Sequence, residues 1–159
     1  MSNPAYLWLT DENGSPMIGS SLVTGRIGAI EIKSLTHNVN IPADSNTGRL
    51  TGTRVHTPVI FQKEFDRVTP FLYKALSTGA TLKSAIIKMY TMTEAGMEKE
   101  YFNILMDNVK LTSITPDLYP GASTGMHLET VQLRYEKITW KHCDGNIIYT
   151  DEWNHRAAY

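Results

Sequence analysis

A chain of 159 residues, 42% hydrophobic and 19% charged, has the balance of one globular domain and is too apolar to stay disordered. Fifteen lysines and arginines against sixteen aspartates and glutamates leave a net charge of −1, with no three basic residues adjacent. That excludes the clustered cations a non-specific nucleic-acid or anionic-membrane surface needs, and the single Cys143 excludes an intrachain disulfide.

Short β-branched and aromatic runs separated by turn residues dominate the chain. They predict strands over 6–10, 29–36, 54–62, 81–92, 99–111, 128–140 and 146–153, the pattern of an all-β barrel or sandwich. Asp11-Glu-Asn-Gly14 closes the first strand. Pro58 puts its strand at a sheet edge or delays its start to Val59. Between strands, Thr69-Pro70 reads as N-cap and first helical position, and Gly79 as the stop. This predicts one short helix over about 69–78, with Val68, Leu72, Ala75 and Leu76 on one face. The run 81–92 is apolar on both parities, so both its faces need cover, from the helix or from a neighbouring subunit. In 128–140 the apolar parity changes near Glu136-Lys137, which predicts a bulge or bend. Asp144-Gly145 predicts a hairpin turn into the last strand. Two stretches, 38–53 and 115–125, read as long loops of the kind that carry function.

Chemical motifs are sparse. Gly121-Ala-Ser123-Thr-Gly125 has the nucleophile-elbow pattern, with Asp151 and His155 following in hydrolase order. The motif needs a strand before the serine and a helix after it; here 116–120 reads as loop and 126–131 as strand. His37, His56, His127, His142 and His155 form no metal-binding spacing, and His142-Cys143-Asp144 alternate faces on a strand. No dinucleotide or phosphate-loop glycine motif occurs, so no cofactor, catalytic or metal site is expected. Asn13-Gly-Ser15 matches a glycosylation sequon, but no export signal precedes it. The start, Met1 to Glu12, has no basic and then apolar stretch, and no run approaches the ~20 apolar residues that span a bilayer. The three tryptophans and eight tyrosines interleave little with basic residues, which favours packing over a single-strand nucleic-acid platform.

An ordered set of segments carries a resemblance. These are Tyr6-Leu-Trp-Leu9, Gly28-Ala-Ile-Glu-Ile-Lys-Ser-Leu-Thr-His37, Gly52-Thr-Arg-Val-His-Thr-Pro-Val59, the stretch from Lys63 to Leu76, Asp107-Asn-Val-Lys-Leu-Thr-Ser113 and the stretch from Glu129 to Trp140. Together, over nearly the whole chain, the sequence resembles the haemolysin-coregulated protein (Hcp) family, the tube subunit of type VI secretion. The resemblance implies a mainly-β fold, an antiparallel β-barrel with one short flanking helix, as a single domain over 1–159 with no C-terminal effector extension. It implies a homohexameric ring, rings stacked as further copies of the chain, sheath and spike proteins as partners, and secreted effectors carried by the tube, with no membrane insertion. The subunit would assemble in the cytoplasm and leave without a cleaved signal. Asp44, Ser45, Asn46, Thr47, Gly48 and Arg49 would then form an inter-ring loop, and Ser34 and Thr36 would face lumen and effector. The competing readings are a serine hydrolase using Ser123 and a monomeric ligand-binding barrel.

Overall fold

The computed structural model describes residues 3–118 and 127–153. β1 (Ala5–Thr10) turns at Asp11, whose carboxylate accepts the Asn13 and Ser15 amides, into the short β2 (Pro16–Met17). Then follow β3 (Ile30–Ile32), β4 (Ser34–Thr36), β5 (Val39–Asn40), β6 (Val55–His56) and β7 (Val59–Glu64). After α1 (Thr69–Thr78) come β8 (Leu82–Met92), β9 (Glu98–Asp117), β10 (Leu128–Arg134), β11 (Lys137–His142) and β12 (Ile147–Glu152). The mainly-β class with one helix is as expected.

One antiparallel sheet runs β2-β1-β8-β9-β10-β7-β4, with β11 and then β12 added on β9 and β3 on β1. It does not close as a continuous ladder. Instead the segment 30–36 touches both ends: Ile30–Ile32 pairs with β1 and Ser34–Thr36 with β7. Lys33 is the hinge, its amide donating to Gln62 O at 2.7 Å. The switch corrects the expected strand 29–36, which divides into two strands. Ile30 and Ile32 are buried, whereas Ser34 and Thr36, on the same parity, are exposed. A change of partner strand turns the outward face, so alternation does not carry through.

The long β9 changes partner in the same way. Phe102–Asp107 pairs with β11 and Lys110–Asp117 with β10. Asn108 sits between at φ 52°, its side-chain amide donating to Glu136. This is the bend expected near Glu136-Lys137, seen from the partner strand. β9 also corrects a loop reading, because Thr115, Pro116 and Asp117 are strand, opposite Thr130, Glu129 and Leu128. Ser123 and His155 of the hydrolase reading lie outside the described residues.

α1 packs Leu72 and Ala75 into the core, and Val68 precedes it; all three are buried, while Leu76 is half-buried. Gly79 stops the helix in the left-handed region at φ 66°, its amide reaching the Ala75 and Leu76 carbonyls. Thr69 is not the N-cap; Val68 holds that position without a side-chain cap. The Thr69 hydroxyl instead donates to Glu129 Oε1 at 2.8 Å, inside the core. Leu7, Phe61, Ile87, Met106 and Leu133 fill the interior completely.

The outer face of β1 and β8 is covered partly by the chain itself. Tyr6 and Tyr90 enclose the Arg26 guanidinium, 5.0 and 3.7 Å from the ring centroids, and Arg26 pairs with Glu98. Gly19 lets this covering loop close: a Cβ there would meet Ala29 O at 2.6 Å. The second apolar face read from 81–92 therefore needs a neighbour less than its pattern suggests.

Candidate functional site

The stretch expected as a loop over 38–53 is a projecting hairpin arm. β5 and β6 pair at Val39↔His56 and Asn40↔Val55, and Ala43 bridges Leu50 further out. Asp44 builds the tip. Its carboxylate accepts the Asn46 and Thr47 amides at 2.8 and 3.0 Å, its own amide donates to Arg49 O, and Gly48 supplies φ 74°. These backbone bonds hold Asp44 below the ordinary carboxylate pKa. Asp44, Ser45, Asn46, Thr47, Gly48 and Arg49 are all exposed. So are Val39, Ile41, Leu50 and Val55, four apolar side chains on an arm with no core of its own.

The arm is tied down at its base. Arg54 donates to both Asp151 oxygens at 2.5 and 2.8 Å and to Glu152 O at 2.7 Å. His56, 3% exposed, lies between Asp151 Oδ2 (2.7 Å from Nε2) and the Tyr135 hydroxyl at Nδ1. His37 Nε2 reaches the same hydroxyl at 2.9 Å. Burial alone would raise the Asp151 pKa; hydrogen bonds from Arg54 and His56 outweigh it and hold the carboxyl below its ordinary value. Burial, with the nearby His56, lowers His37, and burial pushes the Tyr135 phenol up. Sequence reasoning missed this cluster. Its members lie 79–98 residues from Tyr135 or Asp151, and no local spacing marks them.

A second surface lies on the outer face of β4, β7, β10 and the end of β9. The ladders align Ser34, Gln62, Thr130 and Thr115 in one row, and Thr36, Ile60, Gln132 and Ser113 in the next. Apart from Ile60 every side chain is polar and uncharged, and Ser34, Thr36 and Thr115 are exposed. Ser34 and Thr36 thus belong to two uncharged rows of this face, bordered by Glu64 and Asp117 in the row of Leu128, whereas the arm residues form a separate feature.

Two apolar patches mark different flanks of the sheet. Ile147, Ile148 and Tyr149 on edge strand β12 are 69, 56 and 66% exposed, with Tyr149 stacked on Trp140. Leu22 and Ile27, in the loop that covers β1, are 87 and 71% exposed. A cleft of about 570 Å³ between α1 and the β1–β2 hairpin is lined by Met17, Ile18 and Phe71 with Asp11, Glu12 and Lys74. It lies outside the core built by Leu7, Phe61, Ile87, Met106 and Leu133. Among the described residues no group of three or more His, Cys, Asp or Glu side chains could hold a metal ion.

An antiparallel β-fold with one helix of this arrangement has close counterparts among solved bacterial structures. Residues 6–142 match the family model "Type VI secretion system effector, Hcp", and the chain belongs to that family. It is 29% identical to the major exported protein of Pseudomonas aeruginosa, over 99% of both chains. Among solved structures, a mutant Hcp1 protein of Escherichia coli EAEC 042 superimposes with TM-score 0.89 at 51% identity, covering 96% of this chain and 99% of that one. The secreted protein Hcp3 of P. aeruginosa does so with TM-score 0.78 at 25% identity, covering 97% and 100%. The family is one of secretion-system proteins, not of enzymes.

Proposed function

We propose that this chain is a tube subunit of type VI secretion. Six copies close a ring, rings stack through the arm, and the face of β4, β7, β10 and β9 that holds the two uncharged rows lines a lumen that carries effectors. The subunit assembles in the cytoplasm with sheath and spike proteins and is exported with the tube. Family membership sets this frame, and the arm is the observation that carries it. A hairpin exposing Val39, Ile41, Leu50 and Val55, clamped at its base by Arg54 and His56, is built to be covered by something other than its own barrel.

The two apolar patches support ring closure. A ring needs a heterologous contact, with one patch on each flank of the subunit. Ile147–Tyr149 on β12 and Leu22 with Ile27 on the covering loop supply two different patches. A water-filled lumen needs hydrated walls that do not trap cargo, which the Ser34–Thr115 and Thr36–Ser113 rows provide. Negative-stain images of the purified protein test the reading: rings with an open centre are expected, and featureless monomer-sized particles would refute it.

A further inference from the structure

Both strands of the arm enter through one hydrogen-bonded chain. His37 precedes β5, His56 ends β6, and the two imidazoles share the Tyr135 hydroxyl, which lies just past β10. The donor and acceptor roles can be worked out. The Asp151 carboxylate only accepts, so His56 Nε2 carries a proton and donates to it at 2.7 Å. With His56 neutral, Nδ1 is an acceptor and takes the Tyr135 O–H. The Tyr135 oxygen then accepts the His37 Nε2–H at 2.9 Å. All bonds point one way, from His37 through Tyr135 and His56 to Asp151.

One added proton is tolerated. If His56 gains it, Nδ1–H donates to the Tyr135 oxygen, the phenol turns its O–H towards His37 Nε2, and neutral His37 moves its own proton to Nδ1. If His37 gains it, the original direction persists. A second proton is not tolerated. Nitrogen–hydrogen donors from both rings would then converge on one phenol oxygen whose own O–H has no acceptor, with two cations whose ring centres are 6.5 Å apart.

The charged surroundings are mixed. Arg54, ahead of β6, and Asp151 and Glu152, on β12, meet at the arm base; Arg134, at the end of β10, donates to His56 O at 3.4 Å. Lys110 and Lys137 stand opposite Arg134 and Glu152 in the ladders. Asp151 already accepts two bonds from Arg54, so it is not free to neutralise both imidazoles. The chain continues beyond Trp153 into His155 and Arg156, outside the described residues.

We propose that the base of the arm is an acid-labile hinge: His37 and His56 cannot both be protonated while they share Tyr135, so acidification opens the β5–β6 ladder and frees the arm from β12. The hinge itself does not depend on the tube reading. Its consequence, loss of ring stacking in acid, does rest on that reading.

Hydrogen exchange of the Asn40, Val55 and Thr57 amides, the ones the β5–β6 ladder bonds, tests it in the purified full chain, corrected for intrinsic rates, from about pH 8 to about pH 5 across the histidine range. Protection of these amides is expected to fall at least ~tenfold on acidification while the β8–β9 amides keep theirs. His37→Gln offers an amide that accepts or donates but never charges, so it keeps the arm protected and abolishes the pH response. His56→Gln, which also leaves one histidine, does the same. Equal protection at both ends of the range, or an unchanged acid response in both variants, overturns the hinge. Tube assembly measured at the same two pH values separates the two readings: an arm that opens while stacking persists upholds the hinge and removes the arm from the ring contact.

Discussion

Lys63 and Glu129 stand directly opposite each other in the β7–β10 ladder and form an ion pair within the barrel, their side chains 1% and 0% exposed. Lys63 Nζ also reaches Asp66 Oδ1 at 3.1 Å and Glu64 O at 2.8 Å, whereas Glu129 Oε2 has no hydrogen-bond partner. The pair thus ties sheet to helix start, through Thr69, at the cost of burying two charges.

Removing Lys63 strands the Glu129 carboxylate, whereas a Lys63 without Glu129 keeps Asp66. Lys63→Ala is expected to destabilise the fold by about 3–5 kcal/mol in urea denaturation, and the double change Lys63→Met with Glu129→Leu to recover most of that. A loss below about 1 kcal/mol for Lys63→Ala would mean that solvent reaches the pair.

The helix anchors differ in rank. Leu72 is fully buried and Leu76 only half-buried. Leu72→Ala is expected to cost about 2–5 kcal/mol, Leu76→Ala distinctly less and exposed Lys74→Ala almost nothing, read as shifts in melting temperature. Equal effects at all three positions would contradict the packing described.

Much of the fold was legible in the sequence because local chemistry decides it. Gly79 stops the helix where expected, Asp144-Gly145 turns β11 into β12, and the strand after Pro58 starts at Val59. The errors arise where partners change. Ile30 and Ser34 share a parity but face opposite ways because Lys33 passes the strand from β1 to β7. Thr69 left the cap for a buried carboxylate sixty residues away. The arm was visible as an interruption in the strand pattern, but its clamp was not, since His37, His56, Tyr135 and Asp151 meet only after folding.

Replacing Asp44–Arg49 by a short Gly-Ser linker is expected to leave the hexamer intact while impairing stacking and secretion. The tip is bonded to itself, through Asp44, so its loss disturbs no core contact. Closure entropy changes by only ~0.6 kcal/mol per doubling of loop length. Native mass beside a secretion assay reads both effects. Normal export would remove the tip from the ring contact, and loss of the hexamer would move it into the ring interface.

A charge in the uncharged rows tests the lumen. Thr36→Asp places an exposed carboxylate beside Ile60, in a row that contains no charge. Rings are expected to form as before while effector retention, measured by co-purification, falls. Failure of the ring to form would assign Thr36 to an interface between subunits.

Ring closure by six copies of this 17.9 kDa chain is read directly from its mass in solution. Sedimentation velocity across micromolar concentrations addresses it most directly, with a Tyr149→Asp variant alongside to charge the apolar edge of β12. A single species of six chains is expected for the unaltered protein and a shift to smaller species for the variant. Monomer alone at every concentration would contradict ring closure.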